Sequence, residues 1–197
     1  MIVIVLGIFF AGGVGAGYFA SIVKDEPVRS EKQLKNSLLN YEETSEVYFA
    51  DNVYLGKLRT DLERQEVKLE DVSDNVKKAL IATEDAYFYE HDGVVPKALM
   101  RAVFQEVTGS AVQTGGSTLT QQLIKQQILT NEVSFDRKAK EILLAMRLEK
   151  FLEKDEILES YLNISPFGRN SSGRNIAGVQ TAAQGIFGVD AKDLSLP

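Results

Sequence analysis

The sequence predicts a mainly α-helical domain with a small β element near its start, preceded by one transmembrane helix. Three observations predict this. Residues 1–23 contain no charged side chain. Two short β-prone runs flank Asp51-Asn52. From Ser73 onward the pattern is helical, punctuated by residues that start and stop helices. On this reading the 197 residues divide into an anchor at 1–23, a polar stalk at 24–46 and a domain at 47–197.

The first segment is long enough to cross a bilayer, which takes about 20 apolar residues in a helix. Its five glycines (Gly7, Gly12, Gly13, Gly15, Gly17) are tolerated better in membrane helices than in soluble ones. A cleaved signal peptide is the alternative. Against it, no basic region precedes the apolar run, and the run is longer than a usual signal core. Val47–Ala50 and Val53–Leu58 read as strands, with Asp51-Asn52 as a two-residue hairpin turn. Ser73 is placed to cap a helix reaching about Asp85. Pro96 suits the first turn of the next, which Gly109 could close. Ser117, after Gly115-Gly116, could cap a third, and Ser134 a long fourth to about Glu153. Lys154–Asn163 and Val179–Phe187 make two more. The chain closes at Leu194-Ser195-Leu196-Pro197 directly after a helix-like segment, which reads as truncation.

Composition narrows the chemistry. There is no cysteine, so disulfides and thiolate metal sites are excluded. The net charge of −6 speaks against a general polyanion binder, nucleic acid included. The single histidine, His91, cannot build a His-rich metal site.

Five segments could carry function. In Thr83-Glu84-Asp85-Ala86-Tyr87-Phe88, two acids sit where a helix should be ending, against the helix dipole. A solvated acidic pair is the plain reading; a general base is the functional one. In Gly115-Gly116-Ser117-Thr118-Leu119-Thr120-Gln121-Gln122-Leu123-Ile124-Lys125, glycines open a helix whose Thr118, Gln121, Gln122 and Lys125 share one polar face. That face suits sugar or phosphate, or it is a solvated surface. Arg137, Lys138 and Glu141 share a helical stripe, either a surface ion-pair ladder or two cations for a pyrophosphate plus a carboxylate held in register by them. Lys154–Asn163 and Gly178–Gly188 read as packing helices. Between the first two segments, Val94–Val107 suits either a core or an interfacial helix.

Taken together and in order, these five segments resemble glycosyltransferase family 51, the transglycosylase domain of class A penicillin-binding proteins and of monofunctional transglycosylases. The resemblance runs from about Val47 to Pro197. It implies a lysozyme-like helical fold and a lipid II substrate, a disaccharide-pentapeptide on undecaprenyl pyrophosphate. Glu84 matches the family's general base and Glu141 its second carboxylate. Ser117, Thr118, Gln121, Gln122 and Lys125 fall in the substrate-contacting second segment, Asp85 beside the base, and Arg137 and Lys138 match cations near the pyrophosphate. The stretch from Val94 matches a mobile jaw that dips into the membrane. The resemblance further implies a divalent metal (magnesium or manganese) in some members, moenomycin as inhibitor, a plasma-membrane location with the domain outside, and membrane lipids, the growing glycan chain and cell-wall synthesis or division proteins as partners. Two departures stand out. Ala86-Tyr87 replaces a basic pair, and Ile186-Phe187-Gly188-Val189 replaces Tyr-Phe-Gly-Lys. No transpeptidase domain lies within these residues, so no acylation of them by penicillin is expected. A glycan hydrolase and a non-catalytic wall scaffold are the competing readings.

Overall fold

The computed structural model describes residues 1–39, 45–58, 62–98, 100–101, 116–129, 132, 134–169 and 173–196. Most of the expected jaw, with Gly109 and Gly115, lies outside the described residues, although 96–98 and 100–101 are helical as Pro96 suggested.

Helix α1 spans Ile2–Val23. Its stretch Val5–Val23, with mean hydropathy 1.7, is long and apolar enough to cross a membrane. Among its described side chains, protein shields only the C-terminal end: Phe19, Ile22 and Val23 are half-buried. Helix α2 follows at Glu31–Leu39 and corrects the stalk reading. Leu34 and Leu38, one turn apart, are fully buried in the main core. Three leucines in nine residues, only two of them one turn apart, are too faint a stripe to see in a polar sequence, yet burying Leu34 and Leu38 contributes about 1.5–3 kcal/mol each.

The expected hairpin forms from β1 (Glu46–Tyr48) and β2 (Tyr54–Lys57), with a different turn. Phe49 N–H donates to Val53 O at 2.8 Å, so Ala50, Asp51 and Asn52 all sit in the loop. Asn52 takes φ 60°, a left-handed conformation that asparagine accepts. This makes a three-residue loop rather than a two-residue turn. A second sheet was not legible in the sequence. Strand β3 (Leu62–Arg64) pairs in parallel with β5 (Asn175–Ala177), which pairs antiparallel with β4 (Pro166–Arg169). Strands of three and four residues, one holding Pro and Gly, are too short to show alternation.

Helix α3 covers Asp74–Glu84. Ser73 stands at its N-cap but does not cap it: its hydroxyl donates to Leu194 O at 2.6 Å, tying the chain's last segment to this helix. Helix α4 is Leu119–Gln127 and its cap is Thr118, not Ser117. Helix α5 is Phe135–Leu148, capped by Ser134 as expected. It stops short of Glu153, because the chain reverses through 149–152 and Glu153 caps the next helix, α6 (Lys154–Ile164). Helix α7 (Val179–Ala182) runs on into a π-helical turn, Ala183–Phe187. Gln180 and Gln184 both donate to Asp190, at 2.8 and 3.0 Å, and hold the return loop.

Helix α4 lies between α5 and α6, and its Leu119, Leu123 and Ile124 are fully buried with Leu144, Leu148, Ile157 and Leu158. Helix α5 also packs on α1. Arg147 donates to Pro27 O at 3.3 Å, and Lys140 lies 4.0 Å from buried Glu26. The helix carrying Arg137, Lys138 and Glu141 therefore sits at the base of the apolar helix.

Candidate active site

The two acids ending α3 point opposite ways. Glu84 is the last helical residue and is exposed; Asp85, at φ −157°, leaves the helix and turns inward. Asp85 is 7% exposed, and its Oδ2 accepts from Leu119 N–H at 3.0 Å and from His91 Nε2 at 2.8 Å. His91 Nδ1 accepts from Gly93 N–H at 3.0 Å, so its proton sits on Nε2, facing Asp85. These donors supply the compensation that a carboxylate at a helix C-terminus needs. His91 is thus a structural hydrogen-bonder. Around it, Lys154 donates to His91 O at 2.6 Å and pairs with buried Glu149 at 2.6 Å.

The start of α4 is fixed by a reciprocal cap. Thr118 Oγ1 accepts from Gln121 N–H at 3.1 Å, while Gln121 Oε1 accepts from Thr118 N–H at 3.0 Å. Thr118 Oγ1 also donates to Gly93 O at 2.7 Å. Asp85, Thr118 and Gln121, expected among the substrate contacts, direct their side chains into the protein and hold α4 in place. The shared polar face therefore splits, because capping draws Thr118 and Gln121 inward. Gln122 and Lys125 face outward. Gln122 Nε2 donates to Glu84 Oε2 at 3.0 Å, and Gln122 Oε1 accepts from Tyr161 O–H at 3.0 Å. Lys125 makes no ion pair among the described residues.

On α5, Glu141 is only 2% exposed, which rules out a surface ladder. Arg137 Nη1 donates to Glu141 Oε2 at 2.7 Å. Lys138 Nζ donates to Glu141 Oε1 and to Ser117 Oγ, the latter at 2.7 Å. Arg137 Nε is buried without a hydrogen-bond partner among the described residues. The start of α4 joins the two halves of the site: Ser117 touches the cation pair and Gln122 touches Glu84. Exposed carboxylate and cations are thereby held at one helix end.

Burial pushes the Tyr161 phenol above its ordinary range; the neighbouring Ser165 hydroxyl opposes this in part, and the Glu84 charge adds to it. No group of three or more His, Asp or Glu side chains gathers among the described residues. Both Glu141 oxygens are occupied by cations, so these residues form no metal cage.

The transglycosylase family profile matches residues 51–197. The chain belongs to the transglycosylase family. Its relatives include penicillin-binding protein 1A of Clostridium perfringens strain 13, 40% identical over 98% of this chain and 28% of the relative. Penicillin-binding protein 1A of Pseudomonas aeruginosa is 43% identical over 69% of this chain and 16% of the relative. Penicillin-binding protein 1F of Bacillus subtilis is 39% identical over 68% and 18%. This chain thus spans under a third of the length of these relatives. At the level of family, the transglycosylase domain is a peptidoglycan glycosyltransferase, as the five segments implied.

Sequence reasoning missed Tyr161 in this candidate site, because Lys154–Asn163 reads as packing. A buried tyrosine must find a partner for its hydroxyl. That signal marks a polar contact but cannot say with what.

Proposed function

We propose that this domain polymerises lipid II at a membrane surface. Glu84 removes the proton from the 4-hydroxyl of one sugar as that oxygen attacks the anomeric carbon of the other. The anomeric C–O bond to pyrophosphate breaks on the opposite face, so the configuration inverts. The proton passes from Glu84 to water, and undecaprenyl pyrophosphate leaves as the anion. A pyrophosphate needs its charge neutralised rather than a proton from an acid. Lys125, Arg137 and Lys138 supply that charge, and Glu141 keeps Arg137 and Lys138 in register.

The observation carrying this reading is the joint at the start of α4, which links an exposed carboxylate to a cation pair. A glycan hydrolase would need its second carboxyl in an apolar setting that keeps it protonated. Glu141 between two cations is the opposite setting. The membrane location is supported by the length of α1 and its packing on α5.

The test is incubation of the detergent-solubilised protein with labelled lipid II, with Glu84→Gln alongside. The expected result is a moenomycin-sensitive ladder of glycan chains that the variant does not make. A ladder from Glu84→Gln would remove Glu84 as the base. Release of soluble muropeptides from purified sacculi would favour the hydrolase, and absence of any lipid II binding would sink the whole reading.

A further inference from the structure

Tyr161 has no part in the chemistry above, yet it touches the group that touches the base. Its O–H donates to Gln122 Oε1 at 3.0 Å, and Nε2 of the same amide donates to Glu84 Oε2 at 3.0 Å. A carboxamide has an acceptor end and a donor end, and half a turn exchanges them. The Glu84 carboxylate only accepts, so it takes the N–H₂ end and leaves the carbonyl end to a donor, which is Tyr161. Gln122 is only half-buried, so packing alone does not hold its amide in place. Tyr161 is 7% exposed and rises from a helix face whose Ile157, Leu158 and Leu162 are buried, so its phenol is held firmly. Burial also keeps that phenol protonated, and hence a donor, well beyond neutral pH.

We infer that Tyr161 is a positioning residue for the general base: its hydroxyl anchors the carbonyl end of the Gln122 amide, whose N–H₂ end donates to Glu84, and so steadies the carboxylate to receive the acceptor proton. One carboxylate oxygen is held by the amide and the other takes the proton. The inference rests on Glu84 being the base.

The test is steady-state kinetics on lipid II with the full chain in detergent, comparing Tyr161→Phe, Gln122→Ala and the double variant, with Glu84→Gln as control. Tyr161→Phe keeps the ring. It is expected to lower kcat about tenfold with KM changed less than about twofold, the size of one lost hydrogen bond to an oriented group. Gln122→Ala should lose at least as much, and the double variant should be no slower than Gln122→Ala, because the effect passes through the amide. Multiplying losses in the double variant, a change in KM alone, or native kcat in Tyr161→Phe would each overturn the inference. Should Tyr161→Phe fail to fold, Gln122→Glu reads the same lock. It still accepts from Tyr161 but offers Glu84 no donor, so native kcat there also overturns it. Polymer from Glu84→Gln would instead mean that the base assignment has failed.

Discussion

The Asp85 carboxylate accepts the backbone N–H of Leu119 at 3.0 Å across 34 residues of sequence. One acid of the pair thus anchors the first turn of α4, and the other is left to the solvent. Replacing Asp85 with Ala leaves the Leu119 N–H and the His91 Nε2–H buried without partners. The expected cost is about 2–4 kcal/mol. Thermal unfolding should show a midpoint lower by roughly 5 °C or more. Polymerisation should fall as well, since α4 carries Gln122 and adjoins Ser117. An unchanged midpoint would count against the anchoring role.

Glu141 lies between Arg137 and Lys138 with 2% exposure. Glu141→Gln keeps the shape and removes the charge that holds both cations. Breaking a buried ion pair from one side costs about 3–5 kcal/mol, and the partial exposure of Lys138 puts the expectation at or below the lower end of that range. With the cations free to move, KM for lipid II should rise at least about fivefold. Native KM together with native stability would show that the pairing holds nothing in register.

Tyr161 gives a pH prediction. Its phenol is raised above the ordinary value of 10.0, chiefly by burial. The folded state therefore keeps this proton at a pH where the unfolded chain has lost it. Its contribution to stability is complete below about pH 10 and is lost as pH rises through the folded value. Chemical denaturation between pH 9 and 11 should show stability falling more steeply in the native protein than in Tyr161→Phe. Parallel curves would contradict the assignment.

Gly93 has φ +85°, and a Cβ there would meet the carbonyl oxygen of Ala145 on α5 at 2.7 Å. Backbone cannot move aside as a side-chain tip can. Gly93→Ala should therefore cost about 3 kcal/mol or more, combining the left-handed strain with a displaced helix. The same displacement would part α5 from Ser117, so stability and activity should fall together. A variant unfolding at the native temperature would refute the close approach.

Much of the helical plan was legible because its signals are local. Ser134 caps α5 as its position suggested, and Arg137 and Lys138 reach Glu141 at the offsets a helix dictates. Other elements depended on distant partners. Leu34 and Leu38 look like stray leucines in a polar stretch until α4 lies beside them. The three-stranded sheet draws β3 to β5 over more than a hundred residues, and its short strands have no periodicity of their own. Thr118 and Gln121 sit on the expected helical stripe, but burial and reciprocal capping turned them from ligand candidates into structure.

The sequence by itself determined the charge-free apolar helix, the order of the helices and the residue types at Glu84, Gln122, Arg137, Lys138 and Glu141. Each of those follows from composition, spacing of a few residues, or resemblance. Only the tertiary structure decided which acid of the Glu84-Asp85 pair faces outward, that α2 belongs to the core, and that Tyr161 reaches Gln122 from another helix. Those outcomes depend on burial and on contacts between segments far apart in sequence, and local spacing carries no record of either.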